Sequence, residues 1–519
     1  MKKYTCYLLI KILFSLPALA QTGNTIVKTN AGTVSGVKSA STGIYSYKGI
    51  PFAAAPVHDL RWKAPQPVPA WKGVKKCEAF APSAPQGKPV PFMMYTSEFL
   101  IPEEPINEDC LYLNVWTSSI STRSKKPVIV WIHGGGFIAG SGSCPIYNGE
   151  NMAKKGIVFV TINYRLGVFG FLAHPELTKE SSTHSSGNYA FLDQIAALKW
   201  VQKNIAAFGG DPKRVTIAGQ SAGSFSVNAL AASPLTKGLF QRVIAESGGM
   251  FNRDGRTLTL QTAEQNGLKI QENVKANSIA EMRKMPADDL VKAVSMGIVG
   301  AVIDGYVLPT DVYSIYDAVK QNDVPVLTGW NRDEGFPQGG ASNPADYKAA
   351  AEKQYGELAT AFLQSYPGNT ENEIRQSQLK WSRDNIFAWH AYTWAKLQTS
   401  KGKSKVYVYQ FDRVPPENEK YGAFHSAEIA YALNTLHTWH RPWTEADKKI
   451  EETMSSYWVN FAASGNPNGN GLPEWKPYND MSAAVMEFDE KQTGMKPMAA
   501  KTGFDFIDRY QEQLHQNAK

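Results

Sequence analysis

Val215-Thr216-Ile217-Ala218-Gly219-Gln220-Ser221-Ala222-Gly223-Ser224-Phe225-Ser226-Val227-Asn228-Ala229-Leu230 passes from a β-branched run, through a pentapeptide of small residues around one serine, into a helix-compatible stretch. The order reads as strand, tight turn, helix. A serine on such a turn needs small neighbours two residues to either side, because the strained backbone leaves no room for a Cβ, and the turn lifts the hydroxyl clear of the sheet. A bare Gly-x-Ser-x-Gly also occurs by chance in large proteins. The flanking strand and helix set this one apart from a Gly/Ser-rich phosphate or packing turn, and make Ser221 the candidate nucleophile.

Outward from this elbow the chain alternates short apolar runs with longer helical patterns. Pro127–Ile132 and Ile157–Ile162 are near-continuous apolar stretches, the signature of strands buried on both faces. Val324–Thr328, Arg242–Ala245 and Lys405–Tyr409 are further strand candidates. Phe191, Ile195, Leu198, Val201 and Ile205 recur at three- and four-residue spacing and form a helix stripe to lie on the sheet. A last helix is expected from an N-cap at Thr444 to the stop at Gly465-Asn466-Pro467. Alternating strands and helices predict an α/β fold with a mainly parallel central sheet covered on both faces. No internal repeat or low-complexity linker divides the chain, so residues 21–519 are expected to form one domain. Within it, Pro51–Pro91 reads as an irregular excursion, and 345–399 as a helical insertion placed to cap the site.

Upstream of the elbow, His133-Gly134-Gly135-Gly136-Phe137 leaves a strand with bare amides. Such amides approach an anionic oxygen closely, so Gly135 and Gly136, with the amide of Ala222, are the candidate oxyanion hole. The competing phosphate-cradle reading lacks the accompanying glycine or Lys-Ser/Thr pattern. In folds with this elbow an acid and then a histidine follow the serine. His425 comes in a loop after the strand at 405–409, where a sheet edge delivers a base. His390 and His515 read as structural. His437 and His440 have a spacing that suits a metal, but no third ligand is evident, so no metal site is assigned to them. Asp304, Asp323, Asp333 and Glu334 precede His425. Asp333 and Glu334 sit just past a strand end, and the residues alone do not rank these two neighbours.

The N-terminus runs from Lys2-Lys3 through an apolar zone to Ala18-Leu19-Ala20, the order of a cleaved signal peptide over residues 1–20. The expected location is therefore periplasmic or extracellular. Its removal takes Lys2, Lys3 and Lys11 and no acid, so the formal charge falls from +7 to +4. No basic block marks a nucleic-acid partner, and no later stretch is apolar enough to span a bilayer. Cys6 leaves with the leader, so Cys77, Cys110 and Cys144 remain and one must be odd. Phe92, Met93, Met94, Tyr95, Met250 and Phe251 are candidate apolar lining of a substrate pocket.

Taken together, Asn107 to Trp116, Gly187-Asn188 with Asp193-Gln194, Phe208 to Pro212, the elbow, Asp304-Gly305, Asn331 to Gly335 and His425-Ser426-Ala427-Glu428 resemble the type-B carboxylesterase family. That family includes the cholinesterases and bacterial para-nitrobenzyl esterases. The resemblance covers most of the chain. It implies the α/β-hydrolase fold, a triad of Ser221, Glu334 and His425, oxyanion donors Gly135, Gly136 and Ala222, and supporting contacts from Ser247. It also implies a Cys77–Cys110 disulfide. Glu246, just before Ser247, stands where many members have Gln. The implied activity is hydrolysis of small, moderately hydrophobic short-chain or aromatic esters, by a monomer or small homo-oligomer without a cofactor. Same-mechanism cleavage of amides, thioesters, polyesters or a specialised ester is an alternative. A catalytically silent binding relative is the alternative from another class, against which stands the presence of every triad member.

Overall fold

The computed structural model describes residues 25–517 except 104, 254–255, 295–296, 338–339 and 500. The expected leader, residues 1–20, lies outside the described residues. No described helix is long and apolar enough to cross a membrane.

The frame is an 11-stranded sheet. In chain order its strands are β1 (Val37–Lys38), β2 (Tyr45–Pro51), β3 (Tyr112–Thr117), β4 (Lys126–Ile132), β5 (Val158–Ile162), β6 (Gly210–Gln220), β7 (Arg242–Glu246), β8 (Val326–Asn331), β9 (Val406–Phe411), β10 (Ala484–Phe488) and β11 (Gly494–Pro497). Across the sheet the order is β11-β10-β9-β8-β7-β6-β4-β5-β3-β2-β1. From β10 to β5 every neighbour is parallel, and antiparallel strands close both ends. The continuous apolar runs are the reason: every residue of β5 is buried, and a strand with no polar face belongs in a sheet covered on both sides. Along β4 the side chains alternate, with Val128, Val130 and Ile132 in one core and Ile129 and Trp131 in the other.

Helices fill both faces. The predicted stripe Phe191, Ile195, Leu198 and Val201 is buried on α1 (Tyr189–Asn204), and Ile205 continues it in a 3₁₀ turn. The elbow leads into α2 (Ala222–Ala232). The 345–399 insertion contains α3 (Glu371–Arg383) and α4 (Trp389–Lys401), joined by a π turn, Asp384–Ala388. The last predicted helix is α5 (Glu445–Ser464). Thr444 caps it, with Asp447 returning the bond in a capping box, and Gly465 ends it in the left-handed region. Pro51–Pro91 is less irregular than expected, since Val74–Lys76 joins Thr33–Ser35 in a small three-stranded sheet.

The expected Cys77–Cys110 bridge is not formed. Cys77, Cys110 and Cys144 are all buried free thiols. The reason is register. Cys77 is held beside β2, its amide on Ser35 O (2.7 Å) and its carbonyl on Lys48 N (2.8 Å). The segment alongside the Cys110 loop is centred on Ser83, through Ser83 N to Pro105 O (3.0 Å) and Asn107 N to Ser83 O (2.9 Å). Six residues, with a bend at Ala79, separate Ser83 from Cys77.

Candidate active site

At the end of β6 the backbone turns at Ser221 with φ 56° and ψ −123°, a conformation that costs a non-glycine residue on the order of 1–3 kcal/mol. Packing holds it there. Ser221 N–H bonds Glu246 O at the end of β7 (2.9 Å), and its carbonyl accepts from Phe225 N (2.9 Å) within α2. A Cβ on Gly223 would fall on Ile132 O, and one on Gly219 would lie 2.6–2.7 Å from Gly223 and Ile132. The glycines on either side of the serine are therefore dictated by contact with β4.

The glycine loop after β4 passes the same point. A Cβ on Gly134 would stand 3.2 Å from Ser221 Cβ. Gly135, Gly136 and Phe137 all have positive φ (101°, 61°, 63°), which turns the loop sharply over the elbow. Among the described residues, the amides of Gly135 and Gly136 meet no acceptor. The loop is stiffened from outside. Tyr164 OH donates to His133 O (2.7 Å), and His133 Nδ1 lies 2.8 Å from Gly134 O. Burial pushes His133 down to about 4, so the ring is neutral and Nδ1 is the donor. At the far end, Gln86 clamps Gly140 with both amide atoms: Gly140 N donates to Oε1 (2.8 Å) and Nε2 donates to Gly140 O (3.0 Å).

Of the two neighbouring acids, Glu334 is the one that meets His425, with Oε2 2.8 Å from Nδ1 and both side chains buried. Its other oxygen accepts Asn331 N–H (3.0 Å). Asp333 is turned away. It takes Ala423 N–H (2.9 Å) and pairs with Arg332 toward solvent. The residue before the nucleophile, Gln220, brings its amide nitrogen to 3.4 Å from His425 Nε2. No hydrogen bond joins Ser221 Oγ to His425 among the described residues; in unliganded sites such contacts commonly tighten only when substrate arrives. The imidazole is stacked on Phe387 (4.2 Å, 20°) and met edge-on by Phe336 (5.6 Å, 73°). Tyr95 OH donates to His425 O (3.2 Å).

Ser247 sits one step behind. Its hydroxyl reaches Glu428 Oε1 (3.4 Å) rather than Glu334. Glu428 Oε2 accepts from Asn331 Nδ2, and Asn331 N–H holds Glu334, so Ser247 acts on the acid through two intermediaries. Burial pushes the Glu428 carboxyl well above the usual range, and the charges of Glu246 and Glu334 push it further. Glu246 is also fully buried. Trp458 Nε1 donates to one of its oxygens (2.7 Å), and burial still lifts it to about 8. At about 8, Glu246 carries a proton at neutral pH. Glu246 is in register with Gly329, and Gly329 with Tyr409. The ring of Tyr409 lies across the space a side chain on Gly329 would need.

The remaining candidates fall outside this cluster. His390 accepts Phe251 N–H (3.3 Å) as a buried structural ring, and Phe251 is core. Met94 is buried, whereas Phe92 and Met93 are exposed. Asn151 faces His437, and His437 and His440 gather no third ligand among the described residues. Asp412, Glu487 and Asp489 do converge near the β9–β11 edge, where Lys496 pairs with Glu487. Sequence reasoning missed Phe387, Gln86 and Gln220 and gave no role to Asn331 or Glu428. Gln220, Asn331 and Glu428 lay inside quoted motifs; nothing in the sequence marked Phe387 or Gln86.

Proteins of known activity share this whole frame. The chain is 34% identical over 502 residues to fumonisin B1 esterase of Sphingopyxis macrogoltabida, covering 91% of this chain and 88% of that protein. To para-nitrobenzyl esterase of Bacillus subtilis (strain 168) it is 33% identical over 494 residues, covering 90% and 95%. A solved para-nitrobenzyl (PNB) esterase structure superposes with a TM-score of 0.79 at 31% identity, over 93% of this chain and 99% of that one. The carboxylesterase family model matches residues 23–507. The chain belongs to the carboxylesterase family: it is an ester hydrolase of the α/β-hydrolase fold, acting on small-molecule esters.

Proposed function

We propose that the protein is an exported serine esterase with Ser221 as nucleophile, His425 as general base and Glu334 as the acid that orients it. The observation that carries this reading is the buried Glu334–His425 hydrogen bond (2.8 Å) beside the only acid of the 333–334 pair free to make it. With Nδ1 committed to Glu334, His425 Nε2 is left to take the Ser221 proton as the hydroxyl attacks the ester carbonyl. The amides of Gly135, Gly136 and Ala222 receive the developing oxyanion. The imidazolium then protonates the departing alcohol, leaving an acyl-enzyme on Ser221. Water attacks that ester with the same base, and the acid leaves. Side chains and backbone amides supply every step.

The proposed substrates are moderately hydrophobic short-chain or aromatic esters, and the proposed route is export with cleavage after Ala20. A more specialised ester is the second reading, favoured by the likeness to a relative named for fumonisin B1. Hydrolysis of a para-nitrophenyl ester series by the mature protein tests both. Turnover lost in a folded Ser221→Ala variant, with an organophosphate labelling Ser221 in the parent, supports the serine-esterase reading. A folded parent that is inert across the series but is still labelled points to the specialised substrate. A parent neither active nor labelled sinks the reading.

A further inference from the structure

Helix α3 does not run straight into α4. In the turn between them, Trp389 N–H bonds Asp384 O, five residues back instead of four. Such one-residue insertions are rare and frequent at functional sites. The extra residue rotates everything beyond it by about 100° around the axis. The side chain delivered this way is Phe387, buried, with its face on the His425 imidazole at 4.2 Å and 20°. Phe336 closes the arrangement, edge-on to both rings.

The same helix end is latched to the loop that carries Glu334. Gly335 packs so tightly that a Cβ would fall on Leu379 O. Phe336 N donates to Ser382 Oγ (3.0 Å), and Arg383 Nη1 donates to Arg332 O (3.1 Å). The π turn is pinned in its own right. Asp384, fully buried, is held by Arg383 (2.6 and 2.7 Å) and Tyr366 OH (3.0 Å), while Arg256 donates to Asn385 O and Oδ1 (3.3 and 3.1 Å).

We propose that Phe387 is a positioning residue for His425, and that the π turn serves to place its ring. This rests on the triad assigned above. A hydrogen bond at Nδ1 fixes one point of the imidazole and leaves its plane free to tilt; the Phe387 face sets that plane. Because α3 also grips the 331–336 loop, one helix end registers both the acid and the base. The contact strengthens during the reaction, since an aromatic face attracts an imidazolium more than a neutral ring, and an interaction stronger in the charged transition state raises kcat rather than lowering KM.

The test compares Phe387→Leu, Phe387→Met and Phe387→Tyr on a soluble para-nitrophenyl ester, with thermal melts alongside. Phe387→Leu is expected to lose about tenfold in kcat with KM within about threefold, the scale of one aromatic-face contact, and to slow organophosphate labelling of Ser221 in parallel. Phe387→Tyr, which keeps the face, should restore kcat. A folded Phe387→Leu with parental kcat overturns the proposal. If that variant does not fold, Phe387→Met decides, since a thioether of similar bulk that works as well as tyrosine removes any need for a ring. His425→Ala separates this from the triad itself: activity surviving in His425→Ala defeats the triad, whereas activity lost there and kept in Phe387→Leu defeats only the inference.

Discussion

The two halves of the site are built differently. The nucleophile half, Gly134–Phe137 and Gly219–Gly223, is made of backbone at the centre of the sheet, and its geometry follows from glycines that touch β4 and each other. The base half is made of side chains on loops beyond β8 and β9 and of a helix insertion, and its geometry follows from contacts between residues far apart in sequence. Backbone-built geometry tolerates no alternative residue, so it leaves local spacing rules. Side-chain geometry tolerates many solutions, and leaves few.

That contrast breaks most visibly at the acid. Glu334→Gln should lower kcat by about 10⁴, because an amide no longer holds the imidazole in the productive tautomer, whereas Asp333→Asn should change kcat less than about threefold. Steady-state rates on one ester, with melts to confirm folding, check both; equal losses would mean that the two acids share the task. A smaller effect is expected at the rim of the backbone half. Gln86→Ala frees Gly140 from two hydrogen bonds and should cost about tenfold in kcat by loosening the glycine loop. An unchanged kcat there would show the loop to be rigid without its clamp.

A further effect concerns stability rather than rate. Glu246 holds its proton in the native state up to about pH 8 but gives it up in the ordinary carboxylate range when unfolded. Its presence therefore costs nothing below the unfolded value and destabilises progressively as pH rises toward 8. Glu246→Gln, which keeps an acceptor for Trp458, should remove that slope and gain about 4 kcal/mol at pH 8 relative to pH 5, read from urea midpoints. Parallel pH dependences in parent and variant would place the titrating group elsewhere.

The sheet, the elbow, α1 and α5 were legible because each imposes a period or a steric rule on neighbouring residues. Strand ends were less so: the run at Val324 begins as a strand only at Val326 and continues to Asn331, past the apolar stretch. The Glu334–Asp333 choice came from the resemblance, since both acids occupy the same loop and only the fold decides which faces His425. Phe387 was invisible, because almost every residue of α4 up to Gln398 is buried, so the phase shift that an extra residue makes falls on a helix with no one-sided stripe to show it. The cysteine pairing failed for the same reason: a shift of six residues in a chain without periodicity cannot be read from spacing.

The three unbridged cysteines have a practical corollary. Burial pushes the thiol of Cys77 up to about 11 and that of Cys144 up to about 12, and raises Cys110 further, so almost none of the reactive thiolate exists at neutral pH. Among the described residues there is no disulfide for a reductant to break. Thiols so placed are expected to keep the same covalent state under reducing and oxidising conditions.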